Sequence, residues 1–143
     1  MGAVHHIIKA KGGKIFSITP YTSVYHALEI MFEKNVSSLV VMEDEKLIGI
    51  FTERDYARKV ILKGKSSRDT PIGDIMSGNV ITVTPDNSID ECMQLMTDRF
   101  IRHLPVVEND KLVGLVSIGD VVKYIIEEQK FIIENMEHYI GGA

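Results

Sequence analysis

The chain repeats itself, and this restricts its fold more than any other property of the sequence. A shift of 65 positions lays residues 14–60 on residues 79–125 without a gap. Thr19 and Pro20 fall on Thr84 and Pro85, Ser23 on Ser88, Met31 on Met96, Leu39 on Leu104 and Lys46 on Lys111. The lead-in also matches, with Ile7 on Ile72 and Gly13 on Gly78. One corner stands out. Gly49, Thr52 and Asp55 return as Gly114, Ser117 and Asp120 with the same spacing. The chain is therefore two copies of one supersecondary unit. A unit this short cannot bury both faces of its sheet alone. The two copies are expected to pack face to face about a pseudo-twofold axis, around a shared core.

Each copy parses as β-α-β-β-α, an α/β (α+β) arrangement. Residues 15–18 and 80–83 are short β-branched or aromatic runs, read as strands that end at Pro20 and Pro85. Ser23 and Ser88 precede helical spacing: Val24, Ala27, Leu28 and Met31, then Ile89, Cys92, Met93 and Met96. Strands at 38–42 and 47–51 flank one polar turn, and strands at 104–107 and 112–116 flank the other. A helix then starts near Thr52 and near Ser117. The expected boundaries are 7–64 for the first repeat, 65–78 for a link with a short helical turn, 79–126 for the second repeat and 127–143 for a helical extension. In that extension Phe131, Ile132, Ile133, Met136, Tyr139 and Ile140 form an amphipathic stripe with no counterpart in the first copy. It either packs back on its own domain or makes a dimer contact.

Charge and composition remove several function classes. The net charge is −4, so no chain-wide basic field exists for nucleic acid or an anionic membrane. No apolar run reaches the roughly 20 residues that span a bilayer. The first residues, Met1 to His6, do not read as a secretory signal, and His5 and His6 read as a solvated tail. The lone cysteine, Cys92, excludes an intrachain disulfide and fits a reducing, cytoplasmic setting. It sits on an apolar helical stripe with no evident activating base. No Cys/His cluster has zinc spacing, and no metal site is expected.

The repeated corner admits two readings. A hydroxyl residue followed three places on by an acid is close to a capping box, so Thr52 with Asp55 and Ser117 with Asp120 form helix caps on one reading. On the other, a helix N-terminus after a strand suits phosphate, and an Asp there accepts hydrogen bonds from the hydroxyls of a ribose. The glycine three residues earlier lets another group approach the strand closely. Compensating cations are at hand: Arg54 and Arg58 in the first copy, Lys123 in the second, and Arg102 with His103 from across the interface. Arg58 serves either a ligand or an intrahelical pair with Asp55. An adenine slot would be lined by Ile15, Phe16, Ser37, Ser38 and Leu39 in the first copy. Its counterpart uses Val80, Ile81, His103, Leu104 and Pro105, and Pro105 marks an interrupted ladder.

These features together resemble a tandem pair of CBS (cystathionine β-synthase) domains over about residues 7–126. The carrying signals are the runs Val80–Pro85 and Arg102–Val107 and, above all, the two corners. Residues 52–58 and 69–76 look like those of stand-alone CBS-pair proteins. The resemblance implies a regulatory module without catalysis that binds AMP, ADP, ATP, NAD(H) or S-adenosylmethionine in up to two clefts between the repeats. Asp55 and Asp120 would be the ribose acids, and Thr52 and Ser117 the hydroxyls. It also implies a disc-like homodimer and an effector enzyme. The first copy carries Ser37, Ser38, Leu39 and Val40 where the second has Arg102, His103, Leu104 and Pro105, so the two clefts are expected to differ. The alternative is a dimeric scaffold that regulates a partner enzyme, with nucleotide binding incidental.

Overall fold

The computed structural model describes residues 2–12 and 14–141, and Gly13, matched above to Gly78, lies outside the described residues. The elements are α1 (Val4–Lys11), β1 (Ser17–Ile18), α2 (Val24–Lys34), β2 (Ser38–Glu43), β3 (Lys46–Thr52), α3 (Glu53–Asp55), α4 (Ile89–Arg99), β4 (His103–Glu108), β5 (Lys111–Ser117) and α5 (Ile118–Gly141). The strands form two small sheets, β1-β2-β3 and β4-β5.

Local chemistry explains the matched elements. The Ser23 hydroxyl accepts from the His26 N–H at the start of α2, and Ser88 forms a capping box with Glu91 at the start of α4. Each helix buries an apolar stripe, Val24, Ala27 and Met31 in α2 and Ile89, Cys92 and Met96 in α4. The hairpins turn on Asp44-Glu45 and Asn109-Asp110, all four at positive φ, as a two-residue type I′ loop requires. Both strand pairs are antiparallel with an irregularity at the same place, between Val41 and Met42 and between Val106 and Val107.

The first strand of each copy is shorter than the sequence suggests. β1 holds only Ser17 and Ile18, which pair in parallel with Val40 and Val41. In the second copy a single parallel bridge joins Val83 to Val106. The Val83 N–H donates to the Pro105 carbonyl at 3.0 Å and its carbonyl accepts from Val107 at 2.8 Å. The next ladder bond toward Ile81 would need an N–H on Pro105, which has none. At the aligned position the first copy has Val40, and there the ladder runs one residue further.

The repeats meet as a pseudo-twofold pair. Equivalent strands β3 and β5 touch each other across the interface. Equivalent bonds recur: the Glu53 N–H donates to the Ser37 carbonyl at 3.2 Å, and the Ile118 N–H to the Arg102 carbonyl at 2.9 Å. The expected shared core is instead two clusters with exchanged lead-ins. Val4 and Ile7 of α1 lie in the core of the second copy with Val83, Ile89, Leu104 and Val116. Ile72 and Ile75 of the link lie in the core of the first, with Leu39, Val41 and Phe51. The short helical turn of the link is a 3-10 turn, Ile72–Asp74. The expected solvated tail is thus part of a helix. His5 and His6 are exposed, but Val4 between Ala3 and His5 is fully buried.

After each corner the copies diverge. α3 continues as a π-helical stretch, Tyr56–Val60, and a 3-10 turn, Ile61–Lys63, before Gly64 ends it at φ +67. α5 runs straight on for 24 residues, roughly 36 Å at 1.5 Å per residue. Its extension does not pack back on the domain, because every residue described from Gln129 onward is exposed. No helix among the described residues is long and apolar enough to cross a membrane.

Candidate functional site

Both corners form complete capping boxes. The Asp55 N–H donates to Thr52 Oγ1 at 3.1 Å, and the Thr52 N–H donates to Asp55 Oδ2 at 3.0 Å. Ser117 and Asp120 repeat this at 3.1 and 2.9 Å. The capping reading is therefore realised, and it leaves one carboxylate oxygen of each acid free of the cap.

Beyond the cap the two acids meet different neighbours, Asp55 through its other oxygen and Asp120 through the capping oxygen itself. Asp55 is 8% exposed, and its Oδ1 accepts from the Ser77 hydroxyl at 3.3 Å and pairs with Lys59 Nζ at 3.3 Å. Both distances lie beyond the usual range for such bonds, so either partner is readily exchanged. The cation paired with Asp55 is Lys59 rather than the expected Arg58. Arg58 and Lys59 stand three and four places beyond Asp55, both helical neighbours of it, and it is Lys59 that pairs with the carboxylate. Arg58 is exposed and lies away from the cavity described below.

At the second corner an internal cation intervenes. Lys11 Nζ lies 2.7 Å from Asp120 Oδ2 and donates to the Leu115 carbonyl at 2.8 Å. Burial alone would raise the Asp120 carboxyl. The hydrogen bonds from Lys11 and the Ser117 N–H, with the Lys11 charge, outweigh it and hold the group below its ordinary value. Lys123, the cation expected from the sequence, is exposed on α5.

The glycines of the corners serve close approach, but to the chain itself. A Cβ on Gly49 would lie 2.5 Å from the Met76 sulfur and 3.1 Å from the Ser77 carbonyl, where the link bridges to Ile50. A Cβ on Gly114 would collide with the Ile8 side chain of α1.

A cavity of about 700 Å³ opens between the repeats at the Asp55 corner. It gathers Ser37, Thr52, Arg54 and Asp55 from the first copy and Val80, Ile81, Arg102 and His103 from the second. It also takes in Ile50, Glu53, Ser77, Asn79, Arg99, Phe100 and Ile101, which the sequence reading did not single out. Ser37 Oγ and His103 Nε2 are 3.0 Å apart and tie the repeats together at its wall. Burial, then the nearby Lys11 and Arg102 charges, hold His103 below its usual value against the pull of Asp120, so it is neutral at pH 7.

The remaining expected residues lie elsewhere. Leu39 and Leu104 are fully buried in separate cores, and Ser38 and Pro105 are buried in their strands. Ile15 and Phe16 are half-buried, and Lys34 Nζ sits 5.6 Å from the centre of the Phe16 ring. Ser117 and Asp120 form the other corner, whose acid is held by Lys11. No group of three or more His, Cys, Asp or Glu residues among those described is arranged to hold a metal ion.

One missed residue carried a readable signal. Phe100 ends α4 in the left-handed conformation, at φ 54° and ψ 41°. The shift places it on Asn35, which ends α2 at φ 53° and ψ 49°. Asparagine is a common residue there, whereas phenylalanine is not.

The model of the CBS domain matches residues 11–62 and 72–127, twice in tandem. The chain belongs to the CBS domain family. As a CBS pair it is 42% identical over 149 aligned positions to the CBS domain-containing protein CBSX3, mitochondrial, of Arabidopsis thaliana, covering 98% of this chain and 72% of that one. It is 32% identical to the CBS domain-containing protein YhcV of Bacillus subtilis, over 75% of this chain and 76% of that one. A CBS-domain protein from Burkholderia ambifaria has the same fold, with a TM-score of 0.86 and 46% identity over 89% of this chain and 96% of that one. The CBS pair of protein MJ0100, solved with 5-methylthioadenosine and S-adenosyl-L-methionine, matches with a TM-score of 0.78 and 25% identity, over 90% of this chain and 98% of that one. The expected cytoplasmic setting is not common to these relatives, since the Arabidopsis protein is mitochondrial by name.

Proposed function

We propose that this CBS pair is a regulatory module that binds an adenosine nucleotide, AMP, ADP, ATP or NAD(H), in the cavity at the Asp55 corner, and performs no chemistry of its own. The observation that carries this reading is the cavity's composition. A carboxylate and a hydroxyl at a helix start face apolar Val80 and Ile81 across about 700 Å³, within the usual size of small-molecule sites. Asp55 would accept from the ribose hydroxyls in place of the long Ser77 and Lys59 contacts. Thr52 and Arg54 would face the phosphate. The adenosine ligands of the MJ0100 pair support the ligand class.

Energy or redox state is the signal such a ligand carries, and the receiver would be a partner enzyme. The second corner is the lesser site, because Lys11 already answers Asp120. A second reading, a dimeric scaffold for which nucleotide is incidental, is favoured by one feature. Phe131, Met136, Tyr139 and Ile140 on α5 are 58–83% exposed, an apolar face that suits a homodimer contact.

Titration calorimetry with ATP, AMP and NADH on the wild type and Asp55→Asn tests the first reading. Saturable binding that is lost in Asp55→Asn, with the melting temperature nearly kept, supports it. Absence of binding by all three nucleotides transfers the function to the scaffold.

A further inference from the structure

We propose that the cavity at the Asp55 corner selects nucleotides that carry two or more phosphates, and that Arg99, together with Arg102 and Arg54, makes the selection. This rests on the nucleotide reading above and names its ligand class.

The first ground is unpaired charge. Arg54, Arg99 and Arg102 all line the cavity, and no carboxylate among the described residues lies within ion-pairing distance of any of them. The acids of the cavity are Glu53 and Asp55, and Asp55 is already matched by Lys59. A chain of net charge −4 thus gathers three free guanidiniums on one concave surface. Like charges so placed repel one another, and low-dielectric walls focus their field. A bound polyanion relieves that repulsion.

The second ground is position. Arg99 is the last residue of α4 and Arg102 lies in the connection to β4, so both reach in from the second repeat. Arg54 comes from the first turn after β3. Asp55, the proposed ribose acceptor, belongs to the first repeat, so the second repeat's arginines suit phosphates further along the ligand. Planar guanidinium forks bind phosphate oxygens in pairs, which suits a chain of phosphates better than a single one.

The third ground is the asymmetry of the pair. The residues aligned with Arg99 and Arg102 are Lys34 and Ser37. Lys34 is turned to Glu33 at 3.8 Å and to the Phe16 ring, so the opposite corner has no such arms. A cationic ligand such as S-adenosylmethionine is disfavoured by the same field.

Calorimetry at low salt with adenosine, AMP, ATP, S-adenosylmethionine and sodium tripolyphosphate tests the inference on the wild type and Arg99→Met. Arg99 is exposed, so the variant is expected to fold, and its thermal melt checks this. ATP should bind at least about tenfold more tightly than AMP, S-adenosylmethionine should bind most weakly, and Arg99→Met should lose about tenfold for ATP while adenosine is unchanged. Equal affinities for adenosine, AMP and ATP would overturn the inference and leave the nucleotide reading standing. Binding of tripolyphosphate that depends on Arg99, without binding of any adenosine compound, would uphold the phosphate arms and overturn the nucleotide reading. No binding of any of the five overturns both.

Discussion

Replacing Phe100 with asparagine should stabilise the protein and weaken its hold on nucleotide. Phe100 closes α4 at φ 54°, and the left-handed conformation costs a residue with a Cβ about 1–2 kcal/mol. Asparagine bears less of that cost, and Asn35 shows it in the same backbone conformation one repeat earlier. The opposing loss is small. Phe100 is 78% exposed, so about a fifth of a roughly 200 Å² side chain is covered, worth about 1 kcal/mol at 25 cal/mol per Å². Asparagine keeps about half of that through its own Cβ and Cγ. The net gain is about 0.5–1 kcal/mol, a rise in Tm of about 1–4 °C. Thermal unfolding of Phe100→Asn measures it. A fall in Tm would refute the strain argument, since it would mean that the ring packs better than its exposure implies. Calorimetry on the same variant reads the other half. Phe100 lines the cavity, and loss of its ring from that wall weakens binding by about fivefold or more, on the order of 1 kcal/mol. A stabilised variant that binds ATP as the wild type does would leave the strain without a role in binding.

Lys11→Met, which installs the residue that the link carries at the matching position, Met76, should release Asp120 and raise nucleotide stoichiometry from one to two per chain. A stoichiometry that stays at one would make Lys11 purely structural. The same pair gives a pH dependence. The Asp120 carboxyl lies below its ordinary value when folded, so its contribution is complete above the unfolded carboxylate pKa of about 4 and disappears as pH falls through the folded value. The Tm difference between wild type and Lys11→Met should therefore be present at pH 7 and vanish in strong acid. Ile72→Ala should cost about 2–5 kcal/mol in urea unfolding although Ile72 belongs to the link, because it is fully buried in the first copy's core. Cys92 is fully buried, and burial, then the nearby Glu91, push its thiol up to about 11, so a thiol reagent at pH 8 should label it at least about 100-fold more slowly than a free cysteine until the protein unfolds.

Much of this could be read in the sequence because it depends on local chemistry. Ser23 and Ser88 announced two helices, the polar turns at 43–46 and 108–111 two hairpins, and the repeat required that Asp55 face residues of the second copy. Thr52, Arg54 and Asp55 do share a cavity with Val80, Ile81, Arg102 and His103. What was missed depends on tertiary partners. Nothing in the run from Ala3 to Lys11 says that Val4 packs with Leu104 or that Lys11 reaches Asp120. Arg58 and Lys59 are both helical neighbours of Asp55, three and four places on, so spacing alone does not choose between them. Leu39 and Leu104 were assigned to the ligand slot by neighbourhood in sequence, although alternation along a strand covered on both faces gives no sign of which side meets a cleft.

The exchanged lead-ins bear on the ancestry and the handling of such a molecule. Each half borrows its first segment from the other: α1 completes the second core, and the link completes the first. Two separate chains of one repeat each, trading those segments, would build the same object as a domain-swapped dimer. The present chain is that dimer with its subunits fused, so that assembly no longer depends on concentration. Cutting it between the repeats would yield two fragments that each lack a wall of their own interior, but that should reassemble when mixed.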